Sequence, residues 1–276
     1  MLNSAETIHL TAASCVEPFV SGAFCWLGLA ASDPAAELAF YTRLFDWESD
    51  EQIAGDLGRY TALSYEGQEV AILYGQSPVA ASQWTPFVAV DDVDRCGCLV
   101  ERLGGTLLRD PQNLADAGRV VPVQDPNGAI FALWQPSSHG GAELMHDRGA
   151  VCWHELITSD VDRVAFFYCT LFGWRFTADP RAFSNVRSSF TITKAATPIG
   201  TIRERRDDEN GVSAGWIPYF GVENPELAQR VAEQEGGRTV RTASDSPIGR
   251  TSLLADPLGV PFGLLEHPAP DGREEE

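Results

Sequence analysis

The strongest constraint in this sequence is a long internal repeat. Trp26-Leu-Gly-Leu-Ala-Ala-Ser-Asp33 runs into Leu38-Ala-Phe-Tyr-Thr-Arg-Leu-Phe-Asp-Trp47, and Trp153-His-Glu-Leu-Ile-Thr-Ser-Asp160 runs into Ala165-Phe-Phe-Tyr-Cys-Thr-Leu-Phe-Gly-Trp174. The later parts match too. Trp84-Thr-Pro-Phe-Val-Ala-Val90 leads to Gly104-Gly105 and Asp125-Pro-Asn-Gly128, while Trp216-Ile-Pro-Tyr-Phe-Gly-Val222 leads to Gly236-Gly237 and Asp256-Pro-Leu-Gly259. A period of about 130 residues is far above solenoid periods, so each copy is a whole domain. The 276 residues suffice for two such domains, each with its own core. The expected division is a first domain over 22–136, a linker over 137–149 and a second domain over 150–267. Gln135-Pro-Ser-Ser-His-Gly-Gly-Ala142 has linker composition at the join.

Within each copy the pattern halves again. Trp26 to Ala31 reads as a strand, and Asp33-Pro34 opens a helix with an N-cap followed by proline at the first helical position. Arg59 to Tyr65 and Glu69 to Tyr74 flank a short turn. Trp84 to Val90 is another strand, followed by a helix from about Val93 to Leu103 that ends at Gly104-Gly105. Arg119 to Gln124 and Ala129 to Trp134 form a hairpin around Asp125-Pro-Asn-Gly128. Strand, helix and further strands thus recur four times. Each unit covers one sheet face with its helix and leaves the other to curve around a cavity or to pair.

Lys and Arg total 20 against 39 Asp and Glu, a formal charge of −19. Such a surface repels phosphate backbones and anionic lipid, so neither nucleic acid nor membrane is an expected partner. It would attract amine-bearing molecules. No apolar run approaches the roughly 20 residues of a membrane span, and Met1 to Glu17 lacks the basic-then-apolar order of a secretory signal. The six cysteines form no disulfide-dense framework, and Cys96-Gly-Cys98 has the wrong spacing for a zinc knuckle. A cytoplasmic protein with reduced thiols is expected.

The doubled strand–Asp–helix motif ending Leu-Phe-(Gly/Asp)-Trp, with its closing Asp-Pro-x-Gly hairpin, resembles the vicinal-oxygen-chelate superfamily of glyoxalase I, bleomycin-resistance proteins and extradiol dioxygenases. The resemblance runs from about Gly22 to Glu266. It implies an α+β fold of two tandem domains, each made of two βαβββ modules curved around a cavity. The Trp-led first strand and Leu-Phe-Gly-Trp ending resemble a tandem "glyoxalase-like" or "hydroxylase" subgroup of polyketide and anthracycline pathways. Metal-using members take a His or Gln from a module's first strand and a Glu from its last. Here those positions fall on Trp26 and Trp153, near Thr85 and Ile217, and on Ala132 and Gly263. Indole, methyl and hydrogen cannot ligate a divalent ion, so neither metal nor other cofactor is expected.

The resemblance places Trp26, Trp84, Trp153 and Trp216, with Trp134, along the cavities, where rigid indole faces suit a flat polycyclic ligand. Glu155, two residues after Trp153, shares its cavity-facing side. A carboxylate there would pair with an amine or, with a raised pKa, act as a general acid or base. His154 points the other way. Trp47, Trp174, Tyr41 and Tyr168 read as packing residues, and Arg203 to Asn210 as a solvated mixed-charge loop. The expected function is metal-independent binding of an aromatic, polyketide-like molecule in antibiotic biosynthesis or self-resistance, assisting a pathway oxygenase or sequestering a product. The alternatives are a cofactor-free oxygenase, isomerase or lyase using Glu155, and a metal-dependent glyoxalase-type enzyme. Tandem copies can pair within one chain, which favours a monomer.

Overall fold

The computed structural model describes residues 20–53, 59–76, 81–178, 189–205 and 213–267. The first copy comprises β1 (Phe24–Ala31), α1 (Pro34–Phe45), β2 (Glu48–Ile53), β3 (Arg59–Tyr65), β4 (Gln68–Gly75), β5 (Gln83–Ala89), α2 (Val93–Arg102), β6 (Thr106–Leu107), β7 (Gln112–Leu114), β8 (Gly118–Gln124) and β9 (Ile130–Pro136). The second comprises β10 (Val151–Thr158), α3 (Val161–Phe172), β11 (Arg175–Ala178), β12 (Ser189–Lys194), β13 (Thr197–Glu204), β14 (Gly215–Val222), α4 (Pro225–Gln234), β15 (Arg238–Ser246), β16 (Gly249–Ala255) and β17 (Pro261–Glu266).

The sheet orders are β2-β3-β4-β1-β5-β9-β8-β6, with β7 on β8, and β11-β12-β13-β10-β14-β17-β16-β15. In each sheet the two modules meet where their first strands run antiparallel, β1 beside β5 and β10 beside β14. Each first strand also lies parallel to the last strand of its module. The helices start where the sequence marks them. Asp33, Asp92, Asp160 and Asn224 each accept a backbone N–H of the first turn, satisfying donors that a helix leaves open. The chain-reversing Gly128 and Gly259 sit at φ 100° and 91°, a region costly for a residue with a Cβ.

The helical faces of the two sheets pack on each other, and the resulting cores are shared. One joins Val88, Val100, Val121, Phe131 and Leu133 of the first copy to Leu156, Phe167, Tyr168, Phe172 and Trp174 of the second. The other joins Leu29, Phe40, Tyr41, Phe45 and Trp47 to Phe220, Leu254, Phe262 and Leu264. Accordingly α1 packs against α4, and α2 against α3. The opposite sheet faces are concave and hold a smaller cluster each. We call these the first and second cups.

Two hydrogen-bonded triads explain the repeated motifs. Trp216 Nε1 donates to Tyr168 Oη at 3.0 Å, and Tyr168 donates to Asp125 Oδ2 at 3.1 Å. Trp84 Nε1 donates to Tyr41 Oη at 3.0 Å, and Tyr41 donates to Asp256 Oδ2 at 3.1 Å. In each triad the tyrosine and tryptophan come from one copy and the aspartate from the other. Each aspartate also accepts two backbone N–H groups of its own turn. The tryptophans that follow the first helix of each copy reach across as well: Trp47 Nε1 donates to the Gly149 carbonyl at the end of the connecting segment and Trp174 Nε1 to the Gly22 carbonyl of the first copy, both at 2.6 Å. The Phe-Tyr, Trp and Asp-Pro-x-Gly elements therefore fasten one copy to the other.

This corrects the expectation that Trp84 and Trp216 line the cavities. Trp84 pairs in register with Leu29 and Trp216 with Leu156, and both leucines face the helices. Residues paired across a sheet share a face, so both indoles are buried in the shared cores.

The segment after Pro136 has linker composition but is tied down. His139 N donates to Ala117 O, Ala142 N to Cys25 O, and Glu143 N and Leu144 N both to Glu69 O. Gly141 is needed there: a Cβ would stand 2.2 Å from the Cys25 carbonyl oxygen.

Candidate functional site

The two cups differ in what fills them. In the first, Trp26, Phe87 and Trp134 pack on one another, with Trp26 5.3 Å from Phe87 and 5.5 Å from Trp134 between ring centroids. His139 from the connecting segment closes this cup. Its imidazole stacks on Trp26 at 4.7 Å, and its carbonyl accepts Trp134 Nε1 at 3.2 Å. The Gly141 N–H donates to its Nδ1 at 3.0 Å, while Nε2 lies 3.5 Å from Glu69 Oε1. Hydrogen bonding to Glu69 raises its pKa, against the opposing effect of burial. Trp26 and Trp134 are only 3% and 0% exposed. They face the first cup, but as packed core.

The second cup is differently furnished. Trp153, the counterpart of Trp26, is half-buried, and its Nε1 donates to Thr201 Oγ1 at 3.1 Å. Two residues on, Glu155 shares its face. Arg203 Nε and Nη2 each donate to one Glu155 oxygen at 2.9 Å, a two-point fork. Tyr219 Oη donates to Glu155 Oε2 at 3.0 Å, and Arg241 Nη2 donates to Tyr219 Oη at 3.3 Å. Ile217, Leu253 and Leu265 supply the apolar floor, with Val240 and Ile248 packed beside it.

Burial alone would raise the Glu155 pKa, but the Arg203 charge and hydrogen bonds outweigh it and bring the carboxyl down to about 2. The raised pKa expected for an acid or base role is therefore corrected. Glu155 is an ionised ion-pair partner at neutral pH, with both oxygens engaged. Burial, with the Glu155 charge adding to it, pushes the Tyr219 hydroxyl up, so it stays a donor. Arg203, expected in a solvated loop, lies on β13 at 3% exposure. A signal for this was available: alternation along Thr201-Ile202-Arg203 puts Arg203 on the face opposite an apolar residue. His154 faces away from the cup as expected, stacked on Phe24 at 3.9 Å. Burial lowers its pKa to about 3, and neither ring nitrogen has a hydrogen-bond partner.

A divalent ion in either cup would need converging N or O donors. Register puts Trp26, Phe87 and Ala132 in one row across β1, β5 and β9, and Trp153, Tyr219 and Gly263 in the matching row of the second cup. The first row offers only an indole N–H, which donates and cannot ligate. In the second, the Tyr219 hydroxyl is held protonated beside Glu155. Among the described residues no group of three His, Cys, Asp or Glu is arranged to hold a metal ion. These residues do not fit the superfamily's metal. No described helix is long and apolar enough to cross a membrane.

Paired curved sheets with back-to-back helical faces match known enzymes in architecture. The 2,2',3-trihydroxybiphenyl 1,2-dioxygenase of Sphingomonas wittichii superposes with a TM-score of 0.61 at 11% identity, covering 89% of this chain and 90% of that one. The Mn(II)-bound glyoxalase of Novosphingobium aromaticivorans gives 0.58 at 15% identity, covering 90% and 83%. At these identities the likeness concerns the fold. In sequence, the glyoxylase-named protein CFP32 of Mycobacterium tuberculosis is 32% identical over 252 residues, covering 89% of this chain and 94% of the relative. The anthracycline biosynthesis protein DnrV of Streptomyces peucetius is 30% identical over 268 residues, covering 90% and 94%. No protein-family model matches the chain. The chain belongs to the vicinal-oxygen-chelate superfamily, as a tandem two-domain member.

Proposed function

We propose that the chain binds a flat, hydrophobic aromatic molecule in the second cup, stacked on Trp153, without a divalent ion. The observation that carries this reading is the contrast between the cups. The first is filled by its own Trp26, Trp134 and His139. The second leaves Trp153 half-buried against a packed apolar floor of Ile217, Leu253 and Leu265, bordered on one side by Glu155, Arg203 and Tyr219. Apolar walls with a few fixed polar groups are what a small-molecule site requires. The relatives named for anthracycline biosynthesis support a place in antibiotic biosynthesis or self-resistance, where the bound molecule is an aromatic polyketide held for a partner oxygenase or sequestered. Proton transfer through Glu155 is not favoured, because a carboxylate held near pKa 2 is a poor base at neutral pH.

The test is tryptophan-fluorescence titration with anthracycline aglycones. Quenching that is retained in Trp26→Phe and largely lost in Trp153→Phe supports the reading. Absence of quenching in the parent chain across a panel of aromatic polyketides overturns it.

A further inference from the structure

Where the two copies diverge is itself informative. At helix-facing positions the register equivalents remain apolar: Leu29 and Leu156, Leu63 and Ile192, Leu73 and Ile202. At cup-facing positions they part. In the first sheet one row reads Asp50, Ala62, Ile72, Gly28 across β2, β3, β4 and β1. The same row in the second sheet reads Thr177, Thr191, Thr201, Glu155 across β11, β12, β13 and β10. Their neighbours Phe176, Ile192 and Ile202 pack into the shared core, so alternation sends the three threonines to the cup. Exposure grades along the row: Thr201 is 8% exposed, Thr191 half-buried and Thr177 exposed. Ser189, paired with Arg203, adds a further hydroxyl on this side. The other half of the cup, built on β14, β16 and β17, is mainly apolar: it presents Ile217, Leu253 and Leu265, with the Tyr219 hydroxyl committed to Glu155 and a single threonine, buried Thr251, paired with Leu265.

We infer that the second cup selects an amphipathic ligand: an aromatic body over Trp153 and the apolar half, and a hydroxylated or glycosyl appendage along the Thr201, Thr191 and Thr177 row. This rests on the reading that the second cup binds an aromatic molecule, and it names the class within that reading. Hydroxyls both donate and accept, so a row of them running from floor to rim matches a polyhydroxyl group and gives a bare ring little. β-propensity alone does not account for the row, since the same strands of the first copy use Ala62 and Ile72 at these places.

The test compares a hydroxyanthraquinone with its O-glucoside, titrated against the parent chain and against Thr177→Val/Thr191→Val. Valine keeps shape and strand preference, and circular dichroism checks that the variant folds. The expected result is tighter binding of the glucoside by the parent. In the double variant the glucoside weakens about tenfold, the loss of two hydrogen bonds, while the aglycone is unchanged. Equal affinities for both probes in both proteins overturn this inference and leave stacking intact, as does equal weakening of both probes. Binding of neither probe overturns both readings.

Discussion

Replacing Tyr168 by Phe removes one oxygen from the centre of a buried triad that joins the two copies. Trp216 Nε1 then loses its acceptor, and Asp125 Oδ2 loses the hydroxyl that donates to it. Tyr168 is 0% exposed, Asp125 3% and Trp216 5%, so water cannot easily replace the missing group. A buried donor left unsatisfied costs about 1–3 kcal/mol, and a hydrogen bond to a charged group contributes about 1.5–3 kcal/mol. Asp125 keeps its two backbone partners, which places the expected loss near the lower part of the sum, about 3 kcal/mol. For a chain of this size that lowers Tm by about 6–12 °C. Tyr41→Phe breaks the matching triad and has a similar effect. The two triads share no residue, so the double variant should lose about the sum. Thermal melts by circular dichroism and differential scanning calorimetry measure this. If each single variant melts within about 2 °C of the parent, the triads are not what fastens the copies together.

Three further outcomes follow from the same geometry. The His154 pKa is depressed from 6.5 to about 3, so the stability it permits is complete above pH 6.5 and is lost as pH falls toward 3. The slope is about 1.4 kcal/mol per pH unit, and His154→Phe should flatten this acid limb in urea melts from pH 7 to 4. Glu155→Gln leaves the buried Arg203 charge without its carboxylate and should cost about 3–5 kcal/mol in denaturant unfolding, whereas replacing both residues by apolar ones should recover most of the loss. His139→Ala removes the ring stacked on Trp26 and should alter fluorescence from the first cup without weakening ligand binding in the second, read by titration beside the parent.

The doubled Asp-initiated helices, the Asp-Pro-x-Gly turns and the alternating strands were sufficient to expect two tandem βαβββ pairs, because these signals are local. What fastens the pairs was not legible. Tyr41 and Asp256 stand 215 positions apart in the sequence, and nothing local shows that a repeated aspartate serves the other copy. The faces of Trp84 and Trp216, by contrast, are legible from strand alternation. The superfamily's first-strand ligand position falls near Thr85 and Ile217, and neighbours in a strand cannot share a face, which turns Trp84 and Trp216 away from that side. The spacing to Trp153 points to Glu155, but its partners Arg203 and Tyr219 lie on other strands, and their convergence is a matter of sheet order. The closing of the first cup by His139 depends on where a Gly-rich connector is tied, which composition does not encode.

The most direct measurement is calorimetric titration of the chelator-treated chain with an aromatic polyketide glycoside, run with and without added Mn(II). Saturation at one ligand per chain, unchanged by chelator or metal and lost in Trp153→Phe, is the result this account predicts. Two ligands per chain, or binding that vanishes with chelator and returns with the ion, would contradict it.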